Sequence, residues 1–212
     1  MPLRLDAIFP GEIYHVYNRA VEKKTIFHNS YDYGRFLMRA REYIKLFPTE
    51  VLAYCIMPNH FHFLIREPMP IEQPRTPGVQ NQDTRCPPIN KICRKSSLTE
   101  KFLHRLLCAY GRYYVENYSE THSGHVFQSR YKAKHVTGES SIETLMAYIH
   151  DNPVRAKLVD HPAEWAYSSY LDLTGVRPDS LVTHDKNLSD LSHQKIWEIF
   201  ARDRKTPGVL DL

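Results

Sequence analysis

Residues 57–62 read Met57-Pro58-Asn59-His60-Phe61-His62, and the closing His-apolar-His is the stretch of this chain best suited to chemistry. Side chains on a strand alternate between faces, so His60 and His62 share one face while Phe61 and Phe63 share the other. Two strand steps place their Cα atoms roughly 7 Å apart, a span across which two imidazoles can hold one ion. The chain has twelve histidines, so a plain pair of surface histidines competes with the metal reading. A second candidate is Tyr148-Ile149-His150-Asp151-Asn152-Pro153-Val154-Arg155-Ala156. Tyr148 and Asn152 are four apart and share a helical face, so a phenol and a carboxamide can aim at one point beside the helix. Taken alone, they are better accounted for as an edge-of-core tyrosine and a helix-end Asn before Pro. Tyr110, Tyr113, Tyr114 and Tyr118 are equal candidates for tyrosine chemistry.

Composition narrows the setting. At 212 residues, 42% hydrophobic and 25% charged, the chain fits one cored domain with an appendage rather than a disordered polymer. No apolar run approaches the roughly 20 residues of a membrane span, and the first twelve residues lack a signal-peptide core. Cys55, Cys86, Cys93 and Cys108 form no CxxC pair, which argues against a zinc knuckle or disulfide framework and makes a reducing cytoplasm the expected home. Net charge is +4, but residues 85–135 hold ten Lys/Arg against Glu100, Glu116 and Glu120, leaving that stretch +7 and the rest −3. A solvated helix face explains most such runs. Here the cations alternate with Phe102, Tyr110, Tyr113, Tyr114, Tyr118, Phe127 and Tyr131, the mixture of charges and flat rings that grips single-stranded nucleic acid. Arg94, Lys95, Lys101, Arg105, Arg130, Lys132 and Lys134 are the candidate phosphate contacts.

The elements that must position these residues can be read locally. Ile13–Asn18 alternates as a first strand. Ser30 can cap a helix whose Tyr33, Phe36, Leu37, Ala40, Ile44 and Phe47 recur at helical spacing, with Pro48 closing it. Val51–Met57 and His60–Ile65 form a hairpin turned at Pro58-Asn59. Residues 66–96 carry six of the fourteen prolines and read as a long flexible insertion. Its RTPGV (75–79) returns as KTPGV (205–209), too little to make a repeat architecture. A helix from about Ser97 to Tyr118 and a strand in the latter half of His125–Val136 follow. Ser140 and Glu143 predict a capping box for a third helix with Ile142, Leu145, Met146 and Ile149 buried and Pro153 ending it. Beyond Trp165–Tyr170 the chain reads as loop, then as an amphipathic helix near 190–202. The order predicts an α+β fold of the ferredoxin-like split βαβ kind, an antiparallel sheet with helices on one face and a C-terminal helical extension.

Five segments in this order resemble the REP-associated tyrosine transposases of the HUH single-tyrosine superfamily. They are Tyr14-His15-Val16-Tyr17-Asn18-Arg19, Pro58-Asn59-His60-Phe61-His62, His125-Val126-Phe127-Gln128-Ser129-Arg130-Tyr131, the Tyr148–Ala156 segment and Trp165-Ala166-Tyr167-Ser168-Ser169-Tyr170. The resemblance covers roughly residues 10–172 and implies a catalytic domain over 1–175, interrupted by the 66–96 insertion, with a C-terminal extension over 176–212. It implies cutting and rejoining of single-stranded or hairpin DNA through a 5′-phosphotyrosine link. By motif, Tyr148 takes the nucleophile's place and His60 and His62 the metal pair's. Asn152 stands where related insertion-sequence enzymes have a Gln ligand, a shorter reach with the same carboxamide oxygen. The implied cofactor is Mg or Mn. Relatives include monomers and obligate dimers, so a homodimer is one of two allowed states. A non-catalytic single-stranded nucleic-acid module, with Phe61 or Tyr14 stacking on bases, is the alternative. A small zinc hydrolase using Glu67 or Glu12 as base is a third.

Overall fold

The computed structural model describes residues 7–69, 96–119, 125–128, 130–177 and 181–183. Most of the expected insertion, the expected 190–202 helix, Arg94 and Lys95 lie outside them. Four strands, β1 (Ile13–Arg19), β2 (Glu50–Met57), β3 (His60–Arg66) and β4 (Lys132–Val136), form one sheet in the order β2-β3-β1-β4. Every neighbouring pair is antiparallel. Helices α1 (Ser30–Leu46), α2 (Leu98–Tyr118) and α3 (Glu139–Arg155) follow in the expected βαββαβ order, with α3 after β4, and α4 (Tyr170–Leu173) is a single turn where loop was expected. The expected α+β sheet is thus present, with α1 and α2 together on one face.

Alternation along the strands decides what each face buries. Tyr14, Val16, Tyr54, Ile56, Phe61, Phe63 and Ile65 meet Phe36, Leu37, Phe102, Leu103 and Leu106 of α1 and α2. Each fully buried Phe or Leu there contributes about 1.5–3 kcal/mol. Ile13, Leu52, Ala53, Cys55, Met57 and Leu64 point the other way and meet Ile142, Leu145, Met146 and Ile149 of α3. The register slips between Val51 and Ala53, so Leu52 and Ala53 both face α3. With helices on both sides, β2 and β3 are apolar almost throughout. Phe102, Tyr110 and Tyr113 are core residues; they and Phe61 are not open rings on which bases could stack, and neither is Tyr14.

Three helix ends differ from their sequence signals. The cap of α1 is Asn29, not Ser30: its side chain, on extended backbone, accepts from the Tyr31 and Asp32 amides, while Asp32 accepts back from the Asn29 amide. At α3 the cap position is Gly138 at φ 83, with no side-chain cap bond, so Ser140 and Glu143 both fall inside the helix. Pro153 lies within α3, which runs on to Arg155. Proline has no N–H for the Ile149 carbonyl, and Asn152 compensates, its Nδ2 donating to the carbonyls of Tyr148 (2.8 Å) and Ile149 (3.4 Å).

Two polar devices hold the frame. The Trp165–Tyr170 segment runs along the outer edge of β2: Ile56 N donates to Tyr167 O, Ser169 N to Tyr54 O, and Trp165 Nε1 to Ile56 O. An open sheet edge is thereby closed. Glu67, just past β3, is buried and accepts the Leu98 and Thr99 amides, each at 3.0 Å, one on each carboxylate oxygen. A carboxylate at a helix N-terminus satisfies orphan amides and complements the dipole. Glu12 is bonded to His135 Nε2 at 2.6 Å. Neither carboxylate is therefore placed as a hydrolytic base. Glu67→Ala should lower unfolding free energy by about 2–3 kcal/mol, with Glu67→Gln losing less, as measured by urea denaturation.

Candidate functional site

The site is assembled on the sheet face that α3 covers. Pairing of β1 with β3 sets Tyr17 across from His62 and Arg19 across from His60. Pairing with β4 sets Lys132 across from Tyr17 and Lys134 across from His15. Directly opposed residues share a face, so His15, Tyr17, Arg19, His60, His62, Lys132 and Lys134 all point toward α3. Ahead of β4 the chain already lies against the end of β1: Gln128 N donates to Arg19 O at 2.8 Å and Val21 N to Val126 O at 3.0 Å. That brings Gln128 and Arg130 to the same opening. From above, α3 lowers Tyr148 and Asn152 onto it. All of these residues except Lys134 line a cavity of about 170 Å³.

The ring contacts are close. The Tyr148 ring stands edge-on to His62 at 5.9 Å and to His15 at 6.5 Å between centroids. His60 and His62 lie 5.1 Å apart and nearly perpendicular. The Arg155 guanidinium carbon is 5.6 Å from the Tyr148 ring centroid, and Lys132 Nζ 5.8 Å from that of Tyr17. Tyr148 therefore shares the cavity of the histidine pair, whereas Tyr110 and Tyr113 are locked away on the far face, donating to Ile26 O and to Asp32. Among the tyrosines that the sequence offered, Tyr148 is the one that lines this cavity.

Hydrogen bonding determines which ring nitrogens are available. Asn59 Nδ2 donates to Lys23 O at 3.0 Å, which turns its Oδ1 toward His60 Nδ1 at 2.6 Å. An amide oxygen only accepts, so His60 carries its proton on Nδ1 and leaves Nε2 bare. His62 Nδ1 lies 2.9 Å from His15 Nε2. The Asn152 amide nitrogen is occupied by backbone, leaving its carbonyl oxygen for the cavity. Two imidazoles with engaged Nδ1 atoms and one amide oxygen are a donor set that fits a divalent ion. Among the described residues no group of three His, Cys, Asp or Glu is arranged to hold a metal, so water or a substrate oxygen would have to complete such a site.

Burial keeps these histidines neutral. His60 is pushed down to about 4 by burial and then by Arg19, and His15 to about 4 by burial and then by Lys134. His62 falls well below its ordinary value through burial, then His60, His15 and Arg19. Neutral imidazole is the form that binds metal.

Of the expected phosphate contacts, Arg130 and Lys132 line the cavity and Lys134 shares its face, whereas Lys101 and Arg105 are exposed on α2 behind the sheet. His15, Tyr17, Asn18, Arg19 and Gln128 also line the cavity; sequence pointed to their segments but to no role for any of them. Period-two alternation groups His15 with Tyr17, but only the β1/β3 register connects them to His60 and His62.

Linkage follows from the lowered histidines. A His whose pKa falls from 6.5 unfolded to about 4 folded takes up its proton more readily in the unfolded chain. Its stabilisation is present above pH 6.5 and is lost as pH falls toward 4. Unfolding free energy of the metal-free protein should therefore decline across that window, and His60→Asn should flatten the decline in a pH series of denaturant titrations.

No family model matches the chain. A curated protein of Haemophilus influenzae with the name "Putative REP-associated tyrosine transposase" is 26% identical over 124 residues, 58% of this chain. The match spans about 60% of that relative's length. Among solved structures, a REP-associated tyrosine transposase bound to a REP hairpin superposes with a TM-score of 0.55, over 88% of this chain and 96% of that one, at 14% identity. At that identity the likeness concerns the fold. Among the described residues no helix is long and apolar enough to cross a membrane. In a curated relative and in a solved fold, the similarity of this chain is to the REP-associated tyrosine transposases, as its ordered motifs indicate.

Proposed function

We propose that this protein is a DNA-cleaving and strand-joining enzyme that uses Tyr148 as nucleophile on single-stranded or hairpin DNA. The observation that carries the reading is the convergence of Tyr148 with two neutral, Nδ1-engaged histidines in one cavity rimmed by Arg19, Arg130 and Lys132. A nucleophilic oxygen, a ligand pair and cations for a phosphodiester are the parts that phosphoryl transfer to a tyrosine needs.

His60 and His62, with the Asn152 oxygen, would hold Mg or Mn, which when bound polarises a phosphoryl oxygen and offsets developing negative charge. The chain supplies the rest. A phenol is protonated at neutral pH, so Tyr148 must lose its proton to attack, and the Arg155 guanidinium carbon lies 5.6 Å from its ring centroid. Arg130 and Lys132 fix the phosphodiester. Tyr148 Oη then bonds to phosphorus as the bond to the 3′ oxygen breaks, leaving a 5′-phosphotyrosine and, after protonation, a free 3′-OH. The new ester keeps the energy of the old one, so the reverse attack by a 3′-OH rejoins strands without a nucleotide cofactor.

Tyr148→Phe removes one oxygen from a half-buried ring and should abolish a covalent protein–DNA band on a denaturing gel, using labelled hairpin DNA with Mn, while leaving DNA binding within about twofold. An adduct retained by the Phe variant would move the nucleophile elsewhere. Absence of any adduct in the unaltered protein would favour a binding module.

DNA engagement should follow the α3 side of the sheet. Reversing Arg130 and Lys132 to Glu removes two phosphate contacts and should flatten the slope of log affinity against log salt by roughly 1.4 for single strands. Reversing Lys101 and Arg105 on α2 tests whether the strand continues behind the sheet and should change that slope less. Filter binding at several salt concentrations compares the two.

A further inference from the structure

We propose that His15 is the positioning residue of this site: its Nε2 accepts the Nδ1 proton of His62 and so turns the bare Nε2 of His62 toward the cavity. This rests on the reading above that His60 and His62 hold a divalent ion.

The two nitrogens are 2.9 Å apart. The ring centroids are 5.1 Å apart and the planes only 18° from parallel, so the rings meet edge to edge, as an in-plane N–H···N bond requires. Both side chains are buried, with His15 2% and His62 7% exposed; water cannot readily replace either partner. Tyr17 stacks on His15 at 4.9 Å and 30° and fixes its plane. The arrangement matches the one at His60, where Asn59 Oδ1 holds Nδ1 at 2.6 Å. Each member of the pair thus has a partner dedicated to its Nδ1, and each is left with Nε2 for the cavity.

In a neutral histidine pair one nitrogen donates and the other accepts. The opposite assignment would put the His62 proton on Nε2, an N–H dipole facing a cavity that carries Arg19, Arg130 and Lys132. A lone pair is the favoured neighbour of those cations. His15 is also not a third ligand in this arrangement, because its Nε2 is directed at His62 and no three-residue His, Cys, Asp or Glu group among the described residues is arranged to hold a metal. Second partners of this kind typically alter metal affinity by about 10–100-fold when removed.

Two substitutions separate acceptor from ring. His15→Phe keeps the ring against Tyr17 and removes the acceptor. His15→Gln places a carboxamide oxygen as many bonds from the backbone as Nε2 and restores it. Isothermal titration with Mn should show affinity reduced about 10–100-fold in H15F, most of it recovered in H15Q, and lost in the His60→Ala/His62→Ala double variant. Undiminished Mn affinity in H15F, with loss in the double variant, overturns the role of His15 and leaves the metal reading standing. Unchanged affinity in the double variant overturns both. Should H15F fail to fold, long-range 15N NMR of the unaltered, metal-free protein reads the tautomer directly: a protonated His62 Nδ1 supports the proposal and a protonated Nε2 overturns it. Pulsed EPR of bound Mn gives a last discriminator. A directly bound nitrogen that disappears in H15Q makes His15 a ligand and overturns the proposal.

Discussion

The antiparallel register between β1 and β3 is the constraint on which the site depends. It sets Tyr17 opposite His62 and Arg19 opposite His60. A slip of one residue would send every side chain of one strand to the other face, moving His15 and Tyr17 into the aromatic core and Tyr14 and Val16 out of it. Both faces are apolar where helices pack, so the register is fixed twice over: by Tyr14, Val16, Phe61 and Phe63 against α1 and α2, and by Ile13 and Leu64 against α3. The polar cavity is the part of the second face where apolar packing stops. Its position is therefore set by the core, not by the polar groups themselves.

That origin explains its electrostatics. A histidine at the margin of an apolar layer loses hydration without gaining a carboxylate, and here its charged neighbours are Arg19 and Lys134. Both effects disfavour imidazolium, so the rings stay neutral at the pH where cations around them keep their charge. The resulting surface attracts anions while its imidazoles remain uncharged. A carboxylate in the same place would neutralise the cations and oppose a phosphodiester. The carboxylates nearest in sequence are used elsewhere, Glu67 at the N-terminus of α2 and Glu12 on His135.

How far the sequence spoke depended on whether a signal was local. β1, the 58–59 hairpin and the spans of α1 and α2 were legible because alternation, a turn dipeptide and helical spacing are written within a few residues. Caps were less so: Asn29, Ser30 and Asp32 all carry capping chemistry, and only backbone conformation chooses among them. Sequence also grouped Lys101 and Arg105 with Arg130 and Lys132 as one basic, aromatic stretch. The fold divides that stretch between opposite faces, because α2 crosses behind the sheet before the chain returns as β4. The motif residues His60, His62, Tyr148 and Asn152 come together as their types suggested, yet His15 was legible only as part of a supporting segment, since its contact with His62 spans 47 residues.

Asn152 shows how one residue reconciles fold and site. Pro153 deprives the Ile149 carbonyl of its helical donor, and a helix that ended there would leave Arg155 without a defined place beside Tyr148. The Asn152 amide nitrogen supplies donors to that carbonyl and to Tyr148 O, and α3 continues for its last residues. Because an amide has its donor and acceptor on opposite branches of one planar group, committing the nitrogen to the backbone commits the oxygen to the other side, where the cavity lies. A Gln in its place would reach farther but would lose the short tether that makes this orientation obligatory. The shorter side chain thus exchanges reach for a fixed direction, and it does so on the helix that carries Tyr148, so that any tilt of α3 moves the phenol and the carboxamide together.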